Sequence, residues 1–501
     1  MVKQLVINVI APETRVALLE DDTVVELFVE RERHLEVSGN IYKARVQRVM
    51  PGMQAAFVDI GMPQAAFMHV DDVAVGLNGY GGSENHTAVE NEVYPGKPVR
   101  PIEELITENQ ELMVQIVKSP IGTKGARVTN YITLPGRFLV FMPFSSHVGV
   151  SKRIESADER ERLKNLISSM RPTDQGFIAR TVSEGAPAKQ LQGEMRFLQK
   201  VWDTVQGRYR ALAAPSLVHR ELSISLRAIR DLMTHEVQKV VIDDLFEYES
   251  VNAFLDLIMP SMKEAVELYE GNEPIFDAFQ IEGDISRALK RRVWLKSGGY
   301  VVIERTEALV AIDVNTGRYL GKHNLEDTIL KTNLEAVREI AYQVRLRNIG
   351  GIIIIDFIDM TRRNSQKKVF EALQEALKKD RSKTHVLPLT ELGLVQMTRK
   401  RTRKSLSGIL CEMCACCEGE GTVVSRRTVC YHIYRQAMNM GKGCEGDRLI
   451  IKVASEIAAW FHDEEGPLIM ALERHIRKHI VIEIDEHFHR EEFEFIEQTI
   501  C

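Results

Sequence analysis

The chain has no long hydrophobic run. Its apolar residues nowhere approach the roughly 20 in succession that a membrane-spanning helix needs, and the most apolar stretch, residues 350–355, is only strand length. Cysteine is scarce, seven in 501 residues, and four of the seven fall between Cys411 and Cys417. That distribution argues against a secreted disulfide framework and for a reducing, cytoplasmic setting with thiolate–metal chemistry. Charge of one sign is lacking too: 65 Lys and Arg against 71 Asp and Glu leave a formal net charge of −6. Any nucleic-acid surface must then be a local basic patch and not a global field. There is no internal repeat and no low-complexity tail. The first ten residues alternate polar and apolar and lack a small-residue cleavage site, so they read as a first strand instead of a signal peptide.

What is present describes several domains. Hydrophobic residues make up 44% and charged residues 27%, ordinary for a globular protein, and the length predicts two to four domains. Strand-like runs at 15–19 and 24–29 flank the polar turn Asp21-Asp22. From Tyr42 onward, short strands around 44–49, 55–60 and 65–70 are separated by Pro51-Gly52 and Gly61-Met62-Pro63, the pattern of a small β-barrel. The Gly- and Asn-rich residues 76–92 read as a flexible hairpin inserted in it. A strand at 137–142, a charged helix at 156–170 and a strand ending at Ile178-Ala179-Arg180-Thr181 come next. The helix after them, from Pro187, carries Leu191, Met195, Leu198, Trp202 and Val205 on one face. Residues 222–289 alternate helix and strand signals.

Residues 294–401 carry the chemistry. Strands at 300–304 and 308–314 precede an amphipathic helix with Leu330, Leu334, Val337, Ala341 and Val344 on one side. A fully apolar strand, 352–355, then ends in Asp356; a strand apolar on both faces belongs in the middle of a sheet. Strand, helix and strand form a βαβ unit, so Asp313 and Asp356 fall at the same sheet edge, where ligands of open α/β sheets bind. Two carboxylates there suit magnesium, which leaves its other positions to water and phosphate oxygens. Asn315 points to the same face and can orient the carboxylate or the phosphate. Strand-end aspartates also solvate sheet edges or cap helices, and Asp359 reads as a loop residue or cap.

Here the sequence resembles a known family. Thr306-Glu307-Ala308-Leu309-Val310-Ala311-Ile312-Asp313-Val314-Asn315-Thr316 is similar to the metal-binding segment of the bacterial ribonuclease E/G family. So are Thr332-Asn333-Leu334-Glu335-Ala336 and Ile355-Asp356-Phe357-Ile358-Asp359-Met360, and the resemblance spans essentially the whole chain. It implies a magnesium-dependent endoribonuclease with Asp313 and Asp356 as catalytic metal ligands supported by Asn315, leaving 5′-phosphate and 3′-hydroxyl ends. It also implies a multidomain α/β and α+β architecture. A ribonuclease-H-like domain (1–38 and 222–288) brackets an OB-fold RNA-binding domain (39–125) and a 5′-phosphate sensor (126–221). A DNase-I-like catalytic domain (289–408), a zinc-link (409–422) and a small α+β domain (423–501) complete it. The ribonuclease-H-like part is expected to be structural: its N-terminal segment shows no acidic constellation, although Asp243-Asp244 follows a strand in the later segment.

The cysteine cluster offers a C-x-x-C pair, half of what a tetrahedral zinc needs. No second pair or spaced His pair lies nearby, so two chains donating one pair each is an economical solution. The resemblance supports it: Cys414 and Cys417 match the family's zinc-link ligands, making a homodimer and leaving open the pairing of dimers into tetramers. Ala415 and Cys416 depart from the family's usual proline, and with Cys411 they leave open a four-thiolate site within one chain.

In the barrel, Phe57 and Phe67 lie near Lys43, Arg45 and Arg48; aromatics on such a face stack unpaired bases while cations follow phosphates. The resemblance makes Phe57 and Phe67 RNA contacts and Lys124 a lysine closing that surface. It also makes Arg180 and Thr181, with Gly136 and Val140, the pocket for a 5′-monophosphate, a task suited to a guanidinium fork beside a hydroxyl. The basic run Arg399-Lys400-Arg401 and Arg403-Lys404 fits a phosphate-backbone contact or a solvated face equally. With no long scaffold extension after the cysteines, the chain resembles the family's shorter members. AU-rich single-stranded RNA, ribosomal RNA precursors and mRNA are the expected partners. The rival expectation is a non-catalytic RNA-binding or ribosome-assembly scaffold on the same fold.

Overall fold

The first strand organises the N-terminal sheet. In this computed structural model Lys3–Ile10 is the middle of five strands, ordered Val266–Leu268, Val237–Ile242, Lys3–Ile10, Glu13–Glu20, Thr23–Arg31. The structure describes residues 2–31, 37–74, 100–120, 124–233, 236–317, 325–390, 392–401, 403–440, 447–463 and 466–499. Lys3–Ile10, Glu13–Glu20 and Thr23–Arg31 meander antiparallel, the last two joined at Asp21-Asp22, where both residues take positive φ (48° and 61°). That is the two-residue turn whose twist matches a hairpin, and aspartate tolerates it. Val237–Ile242 adds in parallel to the other side. Leu5, Ile7, Val16 and Leu18 pack beneath the helices Ile224–Leu232 and Leu245–Ile258. Asp243 and Asp244 serve this fold: Asp243 accepts from the Val9 amide at 2.8 Å, and Asp244 caps the helix after it by accepting from the Glu247 amide at 2.7 Å.

A closed five-stranded barrel comes next. Ile41–Met50, Ala55–Asp59, Ala66–His69, Arg127–Thr129 and Glu111–Lys118 pair in that order, and the last returns to the first. Ala44, Ala56 and Ala66 line the buried interior beside Val46, Val58 and Met68, small side chains that let so narrow a cylinder close. The barrel strand Arg127–Thr129, between Ala66–His69 and Glu111–Lys118, lies just past residue 125. The expected hairpin at 76–92 lies outside the described residues.

Residues 134–179 form a four-stranded sheet, backed by the helices Ala157–Met170 and Ala188–Ala211. All five stripe residues of the second helix are buried, against Phe141 and Phe177, whose rings stack at 4.8 Å.

The last large sheet has six strands, ordered Arg292–Trp294, Tyr300–Arg305, Leu309–Asn315, Gly351–Asp356, Leu394–Arg399, Thr384–Val386. Only the third and fourth run parallel, joined through the helix Leu325–Leu346. That helix and Arg363–Leu377 bury Val337, Val344, Val369 and Leu373 against Ile312, Ile353 and Ile355. The apolar strand 352–355 is central, as its composition predicts, but it is not covered on both faces. Ile352 is 49% exposed because both helices lie on the other side.

In the basic run that begins at the end of this sheet, Lys400, Arg401 and Lys404 are exposed, but Arg399 and Arg403 are not free for either role. The Arg399 guanidinium is buried on Asp380 at 2.6 Å, and Arg403 lies over the Phe28 ring at 3.7 Å. These arginines pin segments of the fold together.

The chain divides into two compact units, 1–409 and 410–501. The second has a three-stranded sheet ordered His479–Ile484, Arg448–Val453, Phe493–Gln498, with three helices over a core containing the buried Cys430. Among the described residues no helix is long and apolar enough to cross a membrane.

Candidate active site and RNA-binding surfaces

The parallel ladder sets Asp313 directly opposite Asp356. Both close their strands at the same edge. Alternation turns them away from the helices onto the open face, where they are exposed. Asn315 donates its Nδ2 to the Asp313 carboxylate at 2.7 Å, orienting it. The Asp356 carboxyl is pushed above the ordinary aspartate range, first by partial burial, then by the charges of Asp313 and Asp359. Asp359 thus bears on the pair electrostatically. A site in which like charges raise a carboxyl pKa is one that a divalent cation relieves. Two such carboxylates suit magnesium, although among the described residues no three potential metal-ligating side chains converge.

The loop after Asp356 is held at both ends. The fully buried Asn333 donates to the Ile358 carbonyl (2.8 Å) and accepts from the Ile358 amide (3.1 Å). Glu326 accepts from the Thr361 hydroxyl (2.6 Å) and the Arg362 amide (3.0 Å). Both come from the helix between the strands that carry Asp313 and Asp356, which gives the motif around Asn333 a structural task. A cavity of about 380 Å³ opens beside Asp359, lined by Phe357, Met360, Gln366 and Leu389 among others. Asp313 and Asp356 do not line it; they stand on open surface.

Residues 133–402 match the profile of the Ribonuclease E/G family, and residues 413–499 match an RNase E/G thioredoxin-like domain. The chain is 43% identical to ribonuclease G of Escherichia coli K12 over 99% of this chain and 100% of that protein. It is 43% identical to ribonuclease G of Haemophilus influenzae over 98% of this chain and 99% of that protein. Ribonuclease E of Haemophilus influenzae is 34% identical over 97% of this chain and 51% of its own length. The chain belongs to the ribonuclease E/G family.

On the barrel of this family member, Phe57 and Phe67 are cross-strand partners, half-exposed on the outer face, with ring centroids 6.0 Å apart and edge to face. Arg48 is exposed and pairs with Phe57 across the ladder. Lys43 and Arg45 are engaged by Glu111, each at 3.1 Å, which holds the Glu111 carboxyl below its usual range. Of the three cations read from the sequence, Arg48 is the one beside the rings. Lys124 is exposed next to Gly125, where an added Cβ would lie 2.0 Å from the Ala65 carbonyl oxygen. The backbone there passes flush against the strand that bears Phe67.

Gly136, Val140 and Arg180 converge. Arg180 donates to the Gly136 carbonyl and to Asp231 at 2.8 Å. Val140 pairs with Pro135 and with Ile178, just before Arg180. Thr181 shares a hydrogen bond with Ser151 at 3.0 Å. Two further supports belong to no sequence motif. The buried Glu194 carboxylate accepts the amides of Arg137 (2.6 Å), Phe138 (2.8 Å) and Leu139 (2.8 Å). A Cβ at Gly136 would collide with that carboxylate at 2.7 Å. Arg230 donates to the Pro135 carbonyl at 3.1 Å, and Asp231 is held below the ordinary range by Arg230 and Arg180, although burial opposes them as the largest single effect. One signal for Glu194 was available: it is a charge inside the apolar stripe, three residues after Leu191 and four before Leu198.

In the second unit Cys411, Cys414 and Cys416 are exposed and Cys417 is half-buried. Two tight turns bring the Glu418 amide to the Cys414 carbonyl (2.8 Å) and the Glu420 amide to the Cys417 carbonyl (2.7 Å). The amides of Cys417 and Cys416 lower the Cys414 thiol pKa, favouring the thiolate that zinc takes. Among the described residues no three potential ligands gather here, which does not support a four-thiolate site within one chain.

Proposed function

We propose that this chain is an endoribonuclease that hydrolyses single-stranded RNA, AU-rich by preference, leaving 5′-phosphate and 3′-hydroxyl ends. The observation that carries this is the Asp313–Asp356 rung with Asn315 braced on it, in a member of the ribonuclease E/G family. The relatives' names, ribonuclease G and ribonuclease E, agree with it. Asp313 and Asp356 would hold magnesium. Bound there, the ion supplies positive charge to the phosphodiester and makes a water nucleophilic at neutral pH. Asn315 keeps the Asp313 carboxylate turned to the site, and Asn333 and Glu326 keep the loop after Asp356 in place. Phe57, Phe67 and Lys124 bind unpaired RNA on the barrel, whose five-stranded closure supports an OB-type reading. Arg180 and Thr181, with Gly136 and Val140, receive a 5′-monophosphate.

In this reading the sheet built from 3–31 and 237–268 is a structural, ribonuclease-H-like domain and the six-stranded sheet a DNase-I-like one. Cys414 and Cys417 of two chains share one zinc and make a homodimer, with tetramers a further step. The enzyme works in the cytoplasm on ribosomal RNA precursors and mRNA. The test is substitution: Asp313→Ala and Asp356→Ala should each abolish cleavage while RNA binding by gel shift persists. Full activity in either variant would overturn the assignment.

A further inference from the structure

Trp294 is 58% exposed, an uncommon position for so large an apolar side chain. It lies on the edge strand of the six-stranded sheet, and its rung runs through Tyr300 to Asn315. The neighbouring rung runs from Arg292 through Val302 and Asp313 to Asp356. Val293, Val301, Ile312 and Ile355 form the buried set. By alternation Arg292, Trp294 and Tyr300 therefore share the open face with Asn315 and the two aspartates. The Trp294 and Tyr300 rings meet edge to face at 5.3 Å. The Arg292 guanidinium lies 4.4 Å from the Tyr300 centroid and 5.9 Å from that of Trp294. Arginine thus covers the tyrosine, and both steady the indole while much of its surface stays open.

We propose that Trp294, buttressed by Tyr300 and Arg292, is a stacking platform for one unpaired nucleobase flanking the phosphodiester at Asp313 and Asp356. The proposal rests on the nuclease reading of those aspartates. Strands are about 4.8 Å apart, so Trp294 stands about 10 Å from Asn315, two strands away. An open indole beside a guanidinium suits a base and its phosphate, since every base has a π-face and arginine answers the charge. A protein partner would need a broader apolar area. Here the surroundings are Arg292, the half-buried Val302, Asn315 and the carboxylates, and among the described residues Ile352, the other exposed large aliphatic side chain of the face, lies at the far end of its strand.

The test uses the full chain and a single-stranded RNA with one mapped cut. An abasic nucleotide is placed in turn at each of three positions on either side of the cut. In the wild type one position should lower kcat/KM by roughly 5- to 100-fold, as expected for one lost base–aromatic stack, chiefly through KM. In Trp294→Ala that penalty should vanish, with intact RNA cut as poorly as the wild type cuts the abasic one, and Trp294→Phe should restore it. If the alanine variant does not fold, Trp294→Leu makes the same comparison. Equal abasic penalties in wild type and variant, or wild-type cleavage of intact RNA by the alanine variant, would overturn the platform. Failure of the wild type to cut intact RNA would instead overturn the nuclease reading, and the platform with it.

Discussion

Asp313→Asn should make the metal-free protein more stable and the enzyme inactive. Asp313 and Asp356 face each other on one parallel rung, with Asp359 adding to the negative charge that Asp356 experiences. Two carboxylates about 5 Å apart repel by about 0.8 kcal/mol at the dielectric of water and about 1.7 at half that value. Salt roughly halves this, to about 0.4–0.9 kcal/mol for so exposed a pair. Asparagine removes the repulsion and keeps an oxygen to accept from Asn315, so the variant should melt about 1–3 °C higher in chelator. The sign with pH comes from the raised Asp356 pKa. The unfolded chain releases this proton first, at about 3.9. Folding stability from the site therefore falls as pH rises from there through the raised folded value, then levels off. Asp313→Asn should lessen that fall without removing it, since burial is the larger cause of the raised pKa. Cleavage should drop on the order of 100- to 1000-fold, the several kcal/mol that a metal contributes to transition-state charge. Thermal unfolding in EDTA and in magnesium, with cleavage rates on the same preparations, tests all of this. A variant less stable than the wild type in EDTA, or one that still cuts at the wild-type rate, would refute the reasoning.

Three further outcomes are expected. Arg180→Ala should bring the kcat/KM ratio of 5′-monophosphorylated to 5′-triphosphorylated RNA to about one and leave basal cleavage intact; an unchanged ratio counts against the pocket. Glu194→Ala strands three buried amides, so it should cost about 3 kcal/mol or more by denaturant titration and erase the same preference. A loop with unaltered stability and unaltered preference would show that Glu194 does not shape it. Replacing Cys414 or Cys417 by serine should remove zinc and dissociate dimers, against about one zinc per two wild-type chains by elemental analysis. One zinc in a monomeric wild type would contradict the shared site.

Local periodicity made the elements legible: the stripe from Leu191 to Val205 and the strand ending in Asp356 are where their residue patterns put them. Closure and assembly were less so. Nothing in the spacing of Val237–Ile242 announces that it will pair with Lys3–Ile10, more than two hundred residues before it; that expectation came only from the family resemblance. Face coverage failed for Ile352, because an apolar strand reads alike whether helices lie on one side or two. Charge availability failed for Lys43, Arg45 and Arg399, since a sequence does not show which cations are already paired. The strand-end aspartates were legible as a pair because a βαβ unit forces parallel strands. Glu194 showed only as a charge inside an apolar stripe and Trp294 not at all, because their roles depend on a loop and an open sheet face made elsewhere in the chain.

The measurement that bears most directly on the central claim is cleavage of a short AU-rich single-stranded RNA carrying a 5′-monophosphate or a 5′-hydroxyl, with magnesium and with chelator. Internal cuts that need magnesium, occur faster on the monophosphate and disappear in Asp356→Ala are the predicted result. Tight RNA binding with no cleavage in magnesium would contradict it and leave the chain a scaffold on a nuclease fold.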